Sequence, residues 1–376
     1  MPRTARGGAF ALAWVLTALS VSSQGADFDA RGGQFIGLKS LGDFNASPGA
    51  TAGERVFTSR EFETRIPWNE LIVSWNADMP KDSSLRVEAR AVYPERASKF
   101  YVMSLWSSDP AKYPRECVKG QKDADGDVDT DTLVLQQPAR RFQLRLTLGG
   151  DAPTLPAVRF VGVHGLDSTI KLAPLPPNRA AWGKTLPVLE RSQMAYENGN
   201  VLCSPTTISM MLDFWSKKLN RPELARDVPE IVKGVYDRVW GGTGNWVLNT
   251  AYAGSLPGLR AYVTRMSDVA ELEDWVAHGM PVGLSLCYNR LRGKSREPSG
   301  HLVVCVGFTK DGDAVINDPG TRQNVRKVFP RANLVDAWAY SKNAAYIILP
   351  ENADPPRDRF GHWDSKASRQ QAEGSR

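Results

Sequence analysis

Near its middle the chain runs through Pro174-Leu175-Pro176-Pro177-Asn178. Prolines cannot donate ladder hydrogen bonds and hold φ near −65°, so this passage is predicted to be an extended connector rather than a helix or strand. The chain is 376 residues long, more than one hydrophobic core usually organises. A domain boundary is therefore placed at residues 173–185, and the sequence obeys different rules on either side of it.

Before the connector, short runs rich in β-branched and aromatic residues alternate with turn clusters, as at 71–75, 85–93, 100–106, 132–135, 142–148 and 158–163. In Arg141-Phe142-Gln143-Leu144-Arg145-Leu146-Thr147-Leu148 every second residue is apolar, the pattern of a half-buried antiparallel strand. Residues 27–172 are predicted to form an antiparallel β-sandwich of jelly-roll type. After the connector, residues 186–350 mix the two periods. Apolar residues recur at helical spacing over 205–217 and 270–278, and strands are expected from Pro281, Leu302, Ala314 and Ala345. The fold class is α+β, with helices first and an antiparallel sheet after them. Two separable halves follow, so a fragment starting near Arg179 is expected to keep its own fold. The polar stretch 351–376 is expected to be disordered.

Arg3 and Arg6 precede an apolar stretch over 9–21 that gives way to Ser22-Ser23-Gln24-Gly25-Ala26. This is the layout of a secretory signal peptide over residues 1–26, and the mature protein is expected to be secreted or periplasmic, without a membrane span. The formal charge of +6 is spread along the chain. No basic run is long enough to track a phosphate backbone, which argues against nucleic acid as a partner. Four cysteines, Cys117, Cys203, Cys287 and Cys305, are too few for a disulfide-built scaffold. Cys287 and Cys305 lie in apolar runs and read as core thiols, a cross-strand disulfide being the alternative. Cys117 sits in a polar loop.

Cys203 has a different setting. Pro205 marks a helix start, which places the thiol where unpaired backbone N–H groups and the helix dipole favour a thiolate. A thiol nucleophile needs a base, and Gly300-His301 opens the apolar run 302–308, projecting an imidazole at a strand end. The other histidines, His164, His278 and His362, fall in a loop, at a helix end and in the tail. A second strand, 314–318, follows the turn signal Lys310-Asp311-Gly312-Asp313 and ends on Asp318, a carboxylate able to fix the imidazole tautomer. Two hairpin registers are open. A two-residue loop pairs Lys310 with Asp313 and sets Asp318 opposite Cys305, too far from His301 for a hydrogen bond. A four-residue loop pairs Phe308 with Asp313 and sets Asp318 opposite Val303, one pleat from His301 on the same face. Catalysis requires the longer loop, and Asn317 is the next candidate for orienting the ring.

The runs Cys203-Ser204-Pro205-Thr206, Gly300-His301-Leu302-Val303-Val304 and Asn317-Asp318-Pro319 together resemble cysteine peptidase family 39, the bacteriocin-processing-type branch of the papain-like enzymes. The resemblance implies a papain-like domain in which Cys203 attacks, His301 shuttles the proton, Asp318 orients His301 and an upstream glutamine helps form the oxyanion hole. Gln193 is the candidate for that glutamine. Ser204 stands where the family usually has glycine, and Gln193 lies farther upstream than its usual spacing, so residues 195–200 must form a loop. The expected reaction is hydrolysis of a peptide or amide bond in a peptide or protein, without a cofactor. The same triad would serve an amidase or transferase on cell-wall peptides, and a catalytically idle binding protein is the other alternative. By analogy, the β-sandwich would hold a polymer or cell-surface ligand.

Two further signals point elsewhere. Asp123, Asp125, Asp127, Asp129 and Asp131 alternate around Gly126, which suggests a calcium loop, but the glycine is misplaced for an EF-hand and a solvated acidic loop is favoured. The run Gly241-Gly242-Thr243-Gly244-Asn245-Trp246 has no following lysine and is not a phosphate loop. It reads as a flexible cleft wall, with Trp246 packing or facing substrate.

Overall fold

The computed structural model describes residues 30–364. The predicted signal peptide and the last part of the polar stretch lie outside the described residues. No helix among the described residues is long and apolar enough to cross a membrane.

The N-terminal half is a nine-stranded antiparallel sheet of β1 (Gly33–Leu38), β2 (Phe44–Pro48), β3 (Arg55–Ser59), β4 (Phe62–Asp78), β5 (Ser83–Val92), β6 (Tyr101–Ser107), β7 (Gly126–Asp129), β8 (Thr132–Gly150) and β9 (Ala157–Leu166). Two long strands fold this sheet over on itself. The first part of β4 meets β8 at Phe62↔Phe142, whereas its second part pairs with β9 from Glu70↔Leu166 to Asp78↔Ala157. Similarly, β8 pairs with β5 through its C-terminal part and with β7 through its N-terminal part. Each strand thus serves two layers, turning the corner at register shifts on either side of Trp68, a device by which strands switch sheets. Side chains from the two layers meet inside, for example Trp75 of β4 edge-on to Trp106 of β6 at 6.0 Å.

The C-terminal half places α1 (Cys203–Leu219), α2 (Val228–Val235) and α3 (Trp246–Gly254) before β10 (Leu259–Arg265) and α4 (Val269–Ala277). There follow β11 (Val282–Cys287), α5 (Tyr288–Leu291), β12 (Gly300–Phe308), β13 (Ala314–Asn317), β14 (Arg326–Phe329), α6 (Arg331–Ala339) and β15 (Ala344–Pro350). The sheet order is β10-β15-β11-β12-β13-β14, antiparallel throughout. Helix α1 buries Ile208, Met211, Leu212 and Trp215 against this sheet, and the Trp215 indole donates to the Ile348 carbonyl at 2.7 Å. Asn220 ends the helix in the left-handed conformation, φ 53°, as a C-terminal cap does.

The halves are not independent. Strand β10 is an edge strand, and its outward backbone groups are taken by side chains of β4 rather than by another strand. The Asn76 amide donates to the Ala261 carbonyl at 2.6 Å and accepts from the Ala261 N–H at 2.9 Å, while the Ser74 hydroxyl accepts from Val263 N–H at 2.9 Å. Beside them Glu70 of β4 is buried between Arg265 and Lys342, and Tyr262 stacks on Phe35 at 4.6 Å. The expectation of a separable fragment is corrected by this seam: a sheet edge with polar backbone groups needs partners, and they come from the other half.

The connector runs without helix or strand over 174–178 and its second part is docked, with Trp182 donating to Glu273 at 2.7 Å and Gly183 N–H to the Phe308 carbonyl at 2.9 Å. Residues 351–364 are likewise packed rather than disordered. His362 is buried and bonds Glu271 at 2.6 Å, and Trp363 lies edge-on to Trp275 at 5.5 Å. One Trp at the end of a polar run is enough apolar surface to anchor it.

Candidate active site

Cys203 is the first residue of α1, and no side chain caps that helix end. Of the N–H groups at this helix start, Leu202 donates to Gly199 O at 3.2 Å and Pro205 has none, which leaves those of Cys203 and Ser204 to face an anion. The thiol is half-buried. Burial pushes its pKa up, but the hydrogen bond and charge of His301, with backbone donors from Leu302 and Ser204, outweigh burial and leave it below the ordinary value. Cys117 and Cys305 lack such partners, and burial pushes both up to about 12. Cys117 is buried, not in an open polar loop, and its N–H is held by Asp237 at 3.0 Å. Cys287 and Cys305 are unpaired; the register sets Cys287 against Gly300 and Cys305 against Val282, so they are not neighbours across strands.

His301 enters as the second residue of β12 and is buried. Its Nε2 meets Asp318 Oδ1 at 2.8 Å, which leaves Nδ1 for the Cys203 sulfur. Burial lowers the imidazole pKa, but the hydrogen bonds to Asp318 and Cys203 and their charges raise it to about 9. Asp318 is pushed up by burial and pulled further down by His301, by the Tyr288 hydroxyl and by Gly320 N–H, so it stays ionised below the usual carboxylate range. Each group favours the charged form of the next, the pattern of a thiolate–imidazolium pair steadied by a carboxylate.

The register that makes this contact arises by a route neither predicted hairpin contains. Phe308 pairs with Ala314, not Asp313, around a longer loop, and Val306 is then extruded as a β-bulge between Cys305↔Ile316 and Gly307↔Val315. The extra residue shifts the ladder by one, Val304 meets Asn317, and Asp318 follows next to Val303, where the four-residue loop would have set it. The bulge carbonyl accepts from the N–H of Leu186, the first residue after the connector, at 2.7 Å, so that docked segment stabilises the shift. Asn317 faces away from the ring: its amide donates to Leu189 O at 3.1 Å and accepts from Arg326 at 2.9 Å.

Gln193 opens a 3-10 turn, Gln193–Ala195, and is buried, with Oε1 lacking a hydrogen-bond partner. Its N–H donates to Pro319 O at 2.9 Å, tying it to the loop after Asp318. Residues 195–200, expected as a loop, coil into that turn and a second one, Gly199–Val201, that leads into Cys203. The return is so close that a Cβ on Gly199 would sit 2.3 Å from the Gln193 carbonyl oxygen. The Ser204 side chain points into the core, 3.0 Å from the Tyr346 hydroxyl, so the departure from glycine puts nothing into the cleft.

Two residues at the site escaped sequence reading. Tyr288 donates to Asp318 Oδ2 at 2.7 Å and lies over the His301 ring at 4.2 Å. Its signal was its place directly after the strand that must pair with Gly300-His301. Gly320 donates to Asp318 Oδ1 at 2.9 Å, and a Cβ there would be 3.0 Å from the His301 ring. The acidic run does not converge: Asp123 bonds Tyr101 and Lys99, Asp125 bonds Arg96, and Asp131 accepts from Trp246 N–H at 2.9 Å, with burial pushing its carboxyl up to about 6. Asp131, Trp240, Trp246, Arg265 and Lys342 line a cavity of about 430 Å³ at the seam between the halves, apart from Cys203, His301 and Asp318.

Family models match both halves. Residues 51–165 match the Peptidase C39 N-terminal domain, and residues 185–346 match the Peptidase_C39 like family. No curated protein matches the chain. Among solved structures, a xylan-binding module, CBM15, is 16% identical over 36% of this chain and 97% of its own, with a TM-score of 0.21. The Clostridium thermocellum N-terminal endo-1,4-beta-D-xylanase 10B, CBM22-1 and GH10 modules with xylohexaose, is 11% identical over 47% of this chain and 34% of its own, with a TM-score of 0.16. TM-scores that low carry no conclusion about this chain. The two family matches divide the chain where its grammar changes, and the second spans Gln193, Cys203, His301 and Asp318: the chain is a peptidase-like protein of the C39 family, with a C39 N-terminal domain ahead of a domain of cysteine peptidase-like fold.

Proposed function

We propose that this protein is an exported cysteine peptidase that cleaves peptide or amide bonds through a thioester. The observation that carries the reading is the continuous hydrogen-bonded run from Cys203 through His301 to Asp318, with the thiol lowered and the imidazole raised. The Cys203 thiolate attacks the carbonyl carbon, and the His301 imidazolium gives its proton to the departing amine. Water then adds to the thioester with His301 as base, releasing the acid and restoring the thiol. In this reading the Gln193 amide and the Cys203 N–H take the oxyanion role, where one donor is worth about 3 kcal/mol.

The test is alkylation by limiting iodoacetamide as pH varies. The rate at Cys203 should rise in two steps, the first below the ~8.5 of a free thiol as the ion pair forms, the second near 9 as His301 loses its proton. At pH 6 Cys203 should take nearly all the label, because Cys117 is pushed up to about 12. A Cys203 no faster than Cys117 would favour an idle binding protein instead. Product analysis with an added amine separates hydrolysis from transfer.

The export part of the proposal is supported by Arg3 and Arg6 ahead of the apolar run and by the small residues that follow it, an arrangement read by signal peptidases. N-terminal sequencing of the protein from its native source should begin between Gln24 and Asp27. A chain still starting at Met1 would sink it.

A further inference from the structure

We propose that Tyr288 is a positioning residue for the reaction, holding the Asp318 carboxylate by its second oxygen and the His301 ring by its face; the proposal rests on the cysteine peptidase reading above. The need for such a residue follows from the contacts of Asp318. His301 Nε2 and Gly320 N–H both bond Oδ1, at 2.8 and 2.9 Å. A carboxylate held by one oxygen can still swing about χ2, a broad two-fold torsion. The Tyr288 hydroxyl bonds Oδ2 at 2.7 Å and closes off that motion.

The imidazole has a matching freedom. Its ring must present Nδ1 first to the sulfur and then to the leaving amine without losing Asp318. The Tyr288 ring lies over it with centroids 4.2 Å apart and planes at 36°, which restricts rotation and keeps water from one face of the His301–Asp318 contact. Tyr288 is itself fixed. Its N–H donates to Ser299 O at 2.7 Å, Leu291 at the other end of α5 is buried, and the Arg292 guanidinium covers the ring's outer face at 3.8 Å. Burial and Asp318 raise the phenol's pKa further above its ordinary value, so the hydroxyl stays a donor wherever the ion pair exists.

Tyr288→Phe in the full chain keeps the ring and its packing and removes only the donor. Asp318 then gives more of its charge to the imidazolium, so the second step of the iodoacetamide profile should move to higher pH. With fluorescein-labelled casein as probe, kcat should fall roughly tenfold, the cost of one hydrogen bond to a charged group, while KM changes by less than about twofold. A residue that merely packs would lower activity only in proportion to the titratable Cys203 thiol and would leave the second step unmoved. An unmoved step, or one that moves down, overturns the proposal. The profile is read without substrate and only from reactive Cys203, so it stays informative if part of the preparation misfolds. A wild-type chain that shows both steps but cleaves nothing would instead refute the peptidase reading.

Discussion

A chain beginning at Arg179 is expected to fail to fold, although it retains every residue of the proposed catalytic site. Removing the first half strips the edge of β10 of the groups that close it: Asn76 and Ser74 on its backbone, Glu70 on Arg265, and the Phe35 and Phe160 rings on Tyr262. Buried donors and acceptors left unpaired cost about 1–3 kcal/mol each, and the exposed aromatic surface adds to that. The sum reaches the whole stability of an ordinary domain. The single-residue form of the experiment is Asn76→Ala in the full chain. It orphans the Ala261 N–H and carbonyl together and should lower stability by about 2–4 kcal/mol, read as a lower urea midpoint. A fragment from Arg179 with a cooperative unfolding transition would show that the seam is dispensable.

Asp318→Ala is expected to lower turnover on the order of 10³- to 10⁴-fold, the scale of losing the third member of a triad. It also leaves His301 Nε2, the Tyr288 hydroxyl and Gly320 N–H without an acceptor. Asp318→Asn should behave differently. An amide oxygen can still accept from His301 and Gly320, and the Tyr288 hydroxyl can turn to accept from the amide nitrogen, so orientation survives while the charge is lost. Without that charge the His301 pKa must fall from about 9 toward the ordinary imidazole value of ~6.5. The sign carries over to stability. A raised histidine pKa stabilises the fold fully below its unfolded value and loses that contribution as pH climbs through the folded one. The wild-type protein should therefore lose stability as pH passes about 9, and the Asn variant should lack much of that dependence. A pH–rate profile in which Asn leaves the alkaline limb unmoved would remove Asp318 from its assigned role.

The two grammars, the helix start at Cys203 and the strand start at His301 could be read from local pattern, because capping chemistry and apolar periodicity are properties of neighbouring residues. What could not be read depended on distant parts of the chain. The long strands β4 and β8 show in the sequence only as shorter runs, and Pro67 and Pro138 lie inside them, where proline ordinarily marks a strand's edge or end. At the corners between layers, where the β4–β8 register shifts, a missing donor is tolerated. The position of Asp318 was a matter of counting residues around a turn, and counting cannot foresee the bulge at Val306, which is held by Leu186, more than a hundred residues earlier. Tyr288 was invisible for the same reason: its role exists only once β11 and β12 are paired.

The closed edge of β10 also has a consequence for how the protein is made. Strand β9 ends at Leu166 and β10 starts at Leu259. Whether the chain leaves a ribosome or a translocation channel, its N-terminal half emerges first and can complete its layers before β10 appears. When the later sheet assembles, the surface that will shield its bare edge is already waiting. A nascent strand edge is where one copy would otherwise pair with another, and here the cover for that edge lies ahead of it in the same chain.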